Sequence, residues 1–129
     1  MREFVLNLHL ITFVQILIAG AVATVWGIIL IWRGKPFTDG FRSILYTVAI
    51  SGVIQAALGG ILYLFGCRPE NMLHLVYGLI AFIGIPAAFA YASEDLSKRD
   101  MAVLAFASFA IAAAAWRAGA TGFGGYCPP

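Results

Sequence analysis

Long apolar stretches separated by short polar clusters set the pattern of this chain. Four such stretches cover about residues 4–32, 43–66, 72–92 and 101–119. Each provides the roughly 20 mostly apolar residues that a helix needs to cross the hydrocarbon core of a bilayer. Apolar residues follow one another directly, as in residues 16–23, without the alternation that is typical of a β-barrel strand. The pattern therefore predicts four transmembrane helices.

The polar clusters predict where these helices begin and end. Residues 33–36 contain Gly34 and Pro36 and end the first helix, while Thr38 can cap the second. Residues 97–100 have the pattern of a capping box at the start of the fourth helix. Because the connections are short, consecutive helices must lie side by side and antiparallel. We therefore predict an all-α, integral membrane, four-helix up-down-up-down bundle, with residues 1–129 as a single membrane domain and the first and third helices diagonal.

Small residues at four-residue spacing predict the faces on which the helices touch. Lipid provides no hydrophobic force between helices, so small side chains must allow the backbones to approach closely. The first and second helices each carry such a stripe: Ala19, Ala23 and Gly27, and Gly52, Ala56 and Gly60.

Composition excludes several classes of protein. The chain is 62% hydrophobic and 11% charged, against about 45–50% and about 25% in a soluble domain. The formal net charge of +2 is too small to indicate a nucleic-acid partner. No pair of carboxylates lies within the apolar stretches, and neither Cys-x-x-Cys nor Cys-x-x-Cys-His occurs. The sequence thus gives no sign of a carboxylate proton relay, a dithiol oxidoreductase or covalently attached haem, and it favours a carrier or accessory protein over an enzyme.

The basic residues predict the orientation. Five belong to the first and third loops and three to the opposite side: Arg33, Lys35, Arg42, Lys98 and Arg99, against Arg2, Arg68 and Arg117. The positive-inside rule then places the first and third loops in the cytoplasm. We expect a prokaryotic plasma membrane protein with both termini outside.

The two cysteines fall on the same side of the predicted bundle. Cys67 lies in the second loop and Cys127 in the C-terminal tail. If this side faces an oxidising compartment, a disulfide between them can form and persist. The alternative is two unrelated free thiols.

The only histidines, His9 and His74, lie near the starts of helices one and three, which begin on the same side. At about 1.5 Å per residue, they sit at similar depth on diagonal helices. Such a pair can hold a haem iron between two axial imidazoles. Gly78, one turn beyond His74, leaves clearance for a flat ring, and Arg68 and Arg117 can pair with the haem propionates.

Other roles remain open for these polar residues. Both histidines can lie at the membrane interface or simply pack, and they can serve another ligand such as a quinone or a metal ion. Arg117 can extend to the surface on its apolar stem. Gln15 and Gln55 fall near the midplane, where we expect interhelical hydrogen bonds outside the haem site.

One stretch of the chain resembles a known family. Residues 55–60 read Gln-Ala-Ala-Leu-Gly-Gly and residues 73–78 read Leu-His-Leu-Val-Tyr-Gly. A Gln-x-x-x-Gly followed, after a turn, by a helix-borne histidine resembles one half of the haem A synthase family and small four-helix b-type membrane cytochromes. The resemblance implies haem between histidines of different helices, with His74 as a ligand and Gly78 as a clearance position, and an outward-facing cysteine pair. The family's acidic residue near its first histidine has no counterpart beside His9, so the resemblance does not extend to haem A synthesis.

The sequence therefore predicts a small b-type cytochrome that binds one non-covalent haem b near the outer face. Its axial ligands are His9 and His74, and it passes single electrons to or from a quinol or an external redox partner. The alternative is a structural or accessory subunit of a larger respiratory or energy-transducing membrane complex, without its own cofactor. A small transporter or channel is disfavoured, because charge is missing from the middle of the helices.

Overall fold

The computed structural model describes residues 1–129 and contains four helices, with no β-sheet. They are α1 (Arg2–Trp32), α2 (Asp39–Leu64), α3 (Leu73–Tyr91) and α4 (Lys98–Gly122). Each corresponds to one apolar stretch of the sequence. The largest differences are that α2 begins at Asp39 and that α4 extends at both ends, because a helix continues through polar residues up to its caps.

Two helix starts are capped as the sequence predicts. The Thr38 hydroxyl accepts a hydrogen bond of 3.1 Å from the backbone N–H of Phe41 at the start of α2. At the start of α4, Ser97 and Asp100 form a reciprocal capping box. These side chains satisfy backbone donors that a helix end leaves without partners.

The helices form a closed ring in chain order. Close backbone approaches join α1 to α2, α2 to α3, α3 to α4 and α4 back to α1, whereas the backbones of α1 and α3 do not approach each other closely. The four-helix bundle with diagonal α1 and α3 is therefore confirmed. Both termini and the α2–α3 loop lie at one end of it, which we call the termini end.

The outer surface of the bundle is apolar. Only 27 of the 129 residues are buried, and large apolar side chains are exposed on all four helices, including Ile18, Ile50, Leu79 and Phe106. All four helices are long and apolar enough to cross a membrane. The shortest, α3, has 19 residues and is about 28 Å long, close to the hydrocarbon thickness of a bilayer.

The predicted small-residue stripes are only partly contact faces. Ala19, Ala23 and Gly27 of α1 are all buried. On α2, Gly52 packs directly against the backbone carbonyl of Ala81 in α3, so close that an added Cβ would overlap it. The prediction is wrong for Gly60, where an added Cβ would meet nothing within 4 Å. The contact between α2 and α3 therefore does not continue from Gly52 to the termini end.

The buried apolar residues form two separate clusters. The larger has 14 residues and includes Ile16, Ala81 and Ala115. The smaller lies at the termini end and consists of Val5, Leu62 and Cys67. Residues of both clusters line the same hollow, which therefore occupies the space between them.

Candidate ligand-binding cavity

The hollow between the clusters is a cavity of about 680 Å³, reached by all four helices and the C-terminal tail. Pockets for small ligands and cofactors measure about 300–1,000 Å³ and are mostly apolar with a few placed polar groups. The polar side chains that line it include His9, Gln55, Tyr63, Arg68 and His74. A second hollow, of about 510 Å³ on α1, is lined by apolar residues only and carries no chemistry. The first cavity is the candidate site.

The two histidines meet inside the cavity. Their ring centroids are 6.2 Å apart, and the ring planes are inclined at 49°. His9 comes from α1 and His74 from α3, so the pair spans the diagonal of the bundle. This separation suits two packed aromatic rings. It also suits two imidazoles on either side of one metal ion, because bonds of about 2.0–2.1 Å to facing nitrogens place the centroids about 6 Å apart.

His74 is fixed by the neighbouring helix. Its Nδ1 lies 2.9 Å from the backbone oxygen of Ala118 in α4. A carbonyl only accepts, so Nδ1 donates, and in the neutral ring Nε2 is then the bare nitrogen. Gly122 makes this position possible, since a Cβ there would lie 2.7 Å from Cε1 and 2.8 Å from Nδ1 of the ring. A bare Nε2 opposite a carbonyl-bound N–H is the usual state of a histidine that binds a metal.

The ring of His9 contacts Gln55, which we expected from the sequence to lie outside the haem site. Its Nε2 lies 3.2 Å from the side-chain nitrogen of Gln55 in α2. The interhelical hydrogen bond expected of Gln55 is present, but the residue belongs to the cavity instead of lying outside it. The other polar atoms of this pair, Nδ1 of His9 and Oε1 of Gln55, are buried without a partner. Gln15, by contrast, is exposed on α1.

Glycines provide room around the rings. A Cβ at Gly59 would lie 3.2 Å from Cε1 of His9 and 3.8 Å from its Nδ1, so α2 approaches this ring closely. Gly78 lines the cavity, and a Cβ there would meet nothing within 4 Å. The clearance that the sequence predicts beside His74 is therefore present. The position of Gln55 had one sequence signal, since it precedes Gly59 by one helical turn and shares its face.

The two candidate arginines have different positions. Arg68 lines the cavity, and its Nη1 donates to the backbone oxygens of Tyr63 at 2.8 Å and Cys67 at 2.9 Å. Its guanidinium also lies 3.8 Å from the centre of the Tyr63 ring. Arg117 is exposed and does not line the cavity. Only Arg68 is therefore close enough to contribute a positive charge at the cavity.

The C-terminal tail covers part of the cavity at the termini end. Cys67 and Cys127 lie at disulfide-bonding distance, as the sequence predicts for two cysteines on one side. Arg68 and Tyr126 exchange backbone hydrogen bonds of 2.7 and 2.9 Å. Phe123 packs edge-on against Phe13, with the ring centroids 6.0 Å apart. The α2–α3 loop and the tail thus form one covalently and hydrogen-bonded layer, which we call the roof.

No family model, curated protein or solved structure matches this chain. The resemblance of residues 55–60 and 73–78 to haem A synthase stays a prediction.

The side chains that line the cavity fit the ligand requirement of haem iron better than that of a zinc ion. The chain contains no group of three or more His, Cys, Asp or Glu side chains that can hold a metal ion. A protein site for zinc needs at least three such ligands. Haem iron already has four ligands in its macrocycle and needs only axial ones from the protein. The imidazoles of His9 and His74 supply that number of ligands.

Proposed function

We propose that this protein is a small membrane b-type cytochrome that binds one non-covalent haem b in the cavity. The observation that carries the proposal is the pair His9 and His74, which both line the cavity with ring centroids 6.2 Å apart. An open volume of about 680 Å³ and the absence of a third ligand favour haem over a bare metal ion. Bound between two imidazoles, haem supplies reversible one-electron chemistry.

The residues around the cavity have separate roles in this proposal. His9 and His74 serve as the axial ligands, and the hydrogen bonds of Gln55 and Ala118 orient their rings. Gly78 leaves space for the edge of a flat macrocycle. Arg68 supplies the positive charge for a propionate, because it lines the cavity at the termini end. Arg117 has no part, since it is exposed away from the cavity.

The location of the cavity in the bundle favours a haem near the outer face of a plasma membrane. It lies at the termini end, which carries three basic residues against five at the other end. The positive-inside rule favours the outer face of a plasma membrane for this end, and the paired cysteines suit an oxidising compartment. A haem close to that face is within reach of a quinol in the bilayer or of an external redox partner. Such a protein works alone or as the haem subunit of a larger complex.

An absorption spectrum tests the proposal. The full chain, purified in mild detergent with haem b supplied, should show a Soret band and the sharp α-band of a six-coordinate reduced b-type haem. His9→Ala and His74→Ala should each lose the six-coordinate spectrum, because each removes one axial ligand. Gln15→Ala is the control, since Gln15 is exposed on the same helix as His9.

A colourless wild-type protein in excess haem would refute the cytochrome. If such a protein co-purified with larger membrane subunits, it would instead be a cofactor-free accessory subunit. A haem spectrum that survives both histidine substitutions would also refute the assignment of the ligands.

A further inference from the structure

Neighbouring helices pack closely on three of the four sides of the cavity. Between α1 and α2, a Cβ at Gly59 would lie 3.2 Å from the ring of His9. Between α1 and α4, a Cβ at Gly119 would lie 2.9 Å from the ring of Phe13. Between α3 and α4, a Cβ at Gly122 would lie 2.7 Å from the histidine ring of α3. All three distances are shorter than an ordinary contact of about 3.5–4.0 Å, so these sides have no gap.

The fourth side, between α2 and α3, is open at the termini end. The two helices touch where Gly52 meets Ala81. Nearer the termini end each helix lines the cavity with a glycine, Gly60 and Gly78, at which an added Cβ would meet nothing within 4 Å. The two helices therefore separate from their contact towards the termini end.

Large side chains on this side belong both to the lining of the cavity and to the outer surface of the bundle. Tyr63 of α2 and Leu75, Leu79 and Phe82 of α3 line the cavity and are 38–56% exposed. They mark the place where the cavity meets the outer surface, and we call this gap the side opening. The other exposed side chains of the lining belong to the roof, apart from Leu6 near the start of α1: Arg68, Phe123 and Tyr126.

The side opening faces the lipid. Both α2 and α3 are long and apolar enough to cross a membrane. Phe82 lies nine residues beyond the start of α3, about 13 Å along the helix, so the opening extends from the helix ends into the hydrocarbon. Arg68 stands at its polar end, with the guanidinium 3.8 Å from the centre of the Tyr63 ring. A molecule that crosses the opening therefore meets apolar side chains along its body and a positive charge at the membrane surface.

We propose that the side opening is the entrance to the cavity, and that the cavity takes its ligand from the bilayer as a flat, mostly apolar molecule with a carboxylate end. The roof favours this route, because the backbone pairing of Arg68 with Tyr126 holds the tail over the aqueous side. Haem has this chemistry, with an apolar ring and propionates at one edge. The identity of the ligand rests on the proposed function, whereas the entrance does not.

Spin labels test the side opening in the ligand-free protein. A nitroxide is attached at Gly60→Cys or Gly78→Cys in phosphatidylcholine vesicles, while Cys67 and Cys127 are kept in their disulfide. A label that faces lipid collides more with oxygen, which concentrates in hydrocarbon, than with a water-soluble nickel complex. We expect this result at both positions. More collisions with the nickel complex, or few collisions with either reagent, would overturn the proposal.

The kinetics of haem exchange test the entrance itself. Haem dissolved in the vesicles is offered to the protein, and uptake and release are followed by the Soret band. Gly60→Phe should slow both rates by about tenfold or more, equivalent to about 1.4 kcal/mol of added barrier, and leave the affinity unchanged. Leu79→Ala, which widens the opening, should speed both rates. Ala57→Phe is the matched control, since Ala57 is exposed on the same helix and does not line the cavity.

Three results would overturn the entrance. They are unchanged rates in both Gly60→Phe and Leu79→Ala, a loss of affinity in Gly60→Phe without slower uptake, and faster uptake in Cys67→Ser/Cys127→Ser when Gly60→Phe has no effect. The last result would assign entry to the roof. Failure of the wild type to take up haem refutes the cytochrome, and the spin labels still decide whether the side opening exists.

Discussion

The close packing of Gly52 in α2 against Ala81 in α3 gives the sharpest stability prediction. A Cβ at Gly52 would overlap the backbone oxygen of Ala81 and lie 3.0 Å from its carbonyl carbon. Ordinary contact distances between non-bonded atoms are about 3.5–4.0 Å. Because the obstacle is backbone and not the end of a flexible side chain, Gly52→Ala must push α2 and α3 apart. Overpacking of this kind costs about 1–3 kcal/mol and occasionally more.

Gly60→Ala is the matched control on the same helix. Its Cβ would meet nothing within 4 Å, so the substitution should gain up to about 1 kcal/mol from helix propensity alone. Both variants gain the same helix propensity, so they should differ by the overpacking cost alone, about 1–3 kcal/mol, with Gly52→Ala the less stable.

Unfolding in mixed micelles measures this difference. The protein in a mild non-ionic detergent is titrated with sodium dodecyl sulfate, and tertiary packing is followed by near-ultraviolet circular dichroism. Gly52→Ala should unfold at a lower detergent fraction than the wild type, and Gly60→Ala at an equal or higher one. If Gly52→Ala is as stable as Gly60→Ala, the two helices do not cross at Gly52 and the reasoning is wrong.

Two further predictions concern the site and its roof. Gly122→Ala should displace the His74 ring from Ala118, because a Cβ would lie 2.7 Å from Cε1 of the ring. Haem affinity should then fall sharply, while the free energy of unfolding of the haem-free protein changes by about 1 kcal/mol or less. Unchanged haem affinity would contradict this prediction. Joining Cys67 to Cys127 across a separation of 60 residues stabilises by at most about 4 kcal/mol, less if helices persist in the unfolded state. A reducing agent should therefore lower the unfolding midpoint of the wild type and not that of the Cys67→Ser/Cys127→Ser variant; equal responses would show that no disulfide is present.

Much of the fold follows from sequence pattern. The apolar stretches are long enough, and the loops short enough, that four antiparallel helices have few other arrangements. The similar depth of His9 and His74 follows from counting residues along helices that start on the same side. The shared side of Cys67 and Cys127 follows from the number of crossings.

The cavity was harder to predict, because sequence does not fix how each helix is rotated. Gly52 and Gly60 look alike as members of one stripe, yet one touches Ala81 and the other faces open space. The sequence around Gln55 is typical of a helix-packing face, and only the rotation of α2 about its axis brings Gln55 to His9. Arg117 is at the right depth for a propionate but on the wrong face of α4.

The polar bonds of the cavity divide the chain into two halves. His9 is tied to Gln55 within the α1–α2 hairpin, and His74 is tied to Ala118 within the α3–α4 hairpin. Each hairpin can therefore close its own bond before the two meet. The backbone pairing of Arg68 with Tyr126 joins the loop between the two hairpins to the C-terminal tail, so the roof bridges both halves. The cavity therefore lies between two hairpins that each keep their own histidine hydrogen bond, and a separation of the hairpins would widen the cavity without breaking either bond.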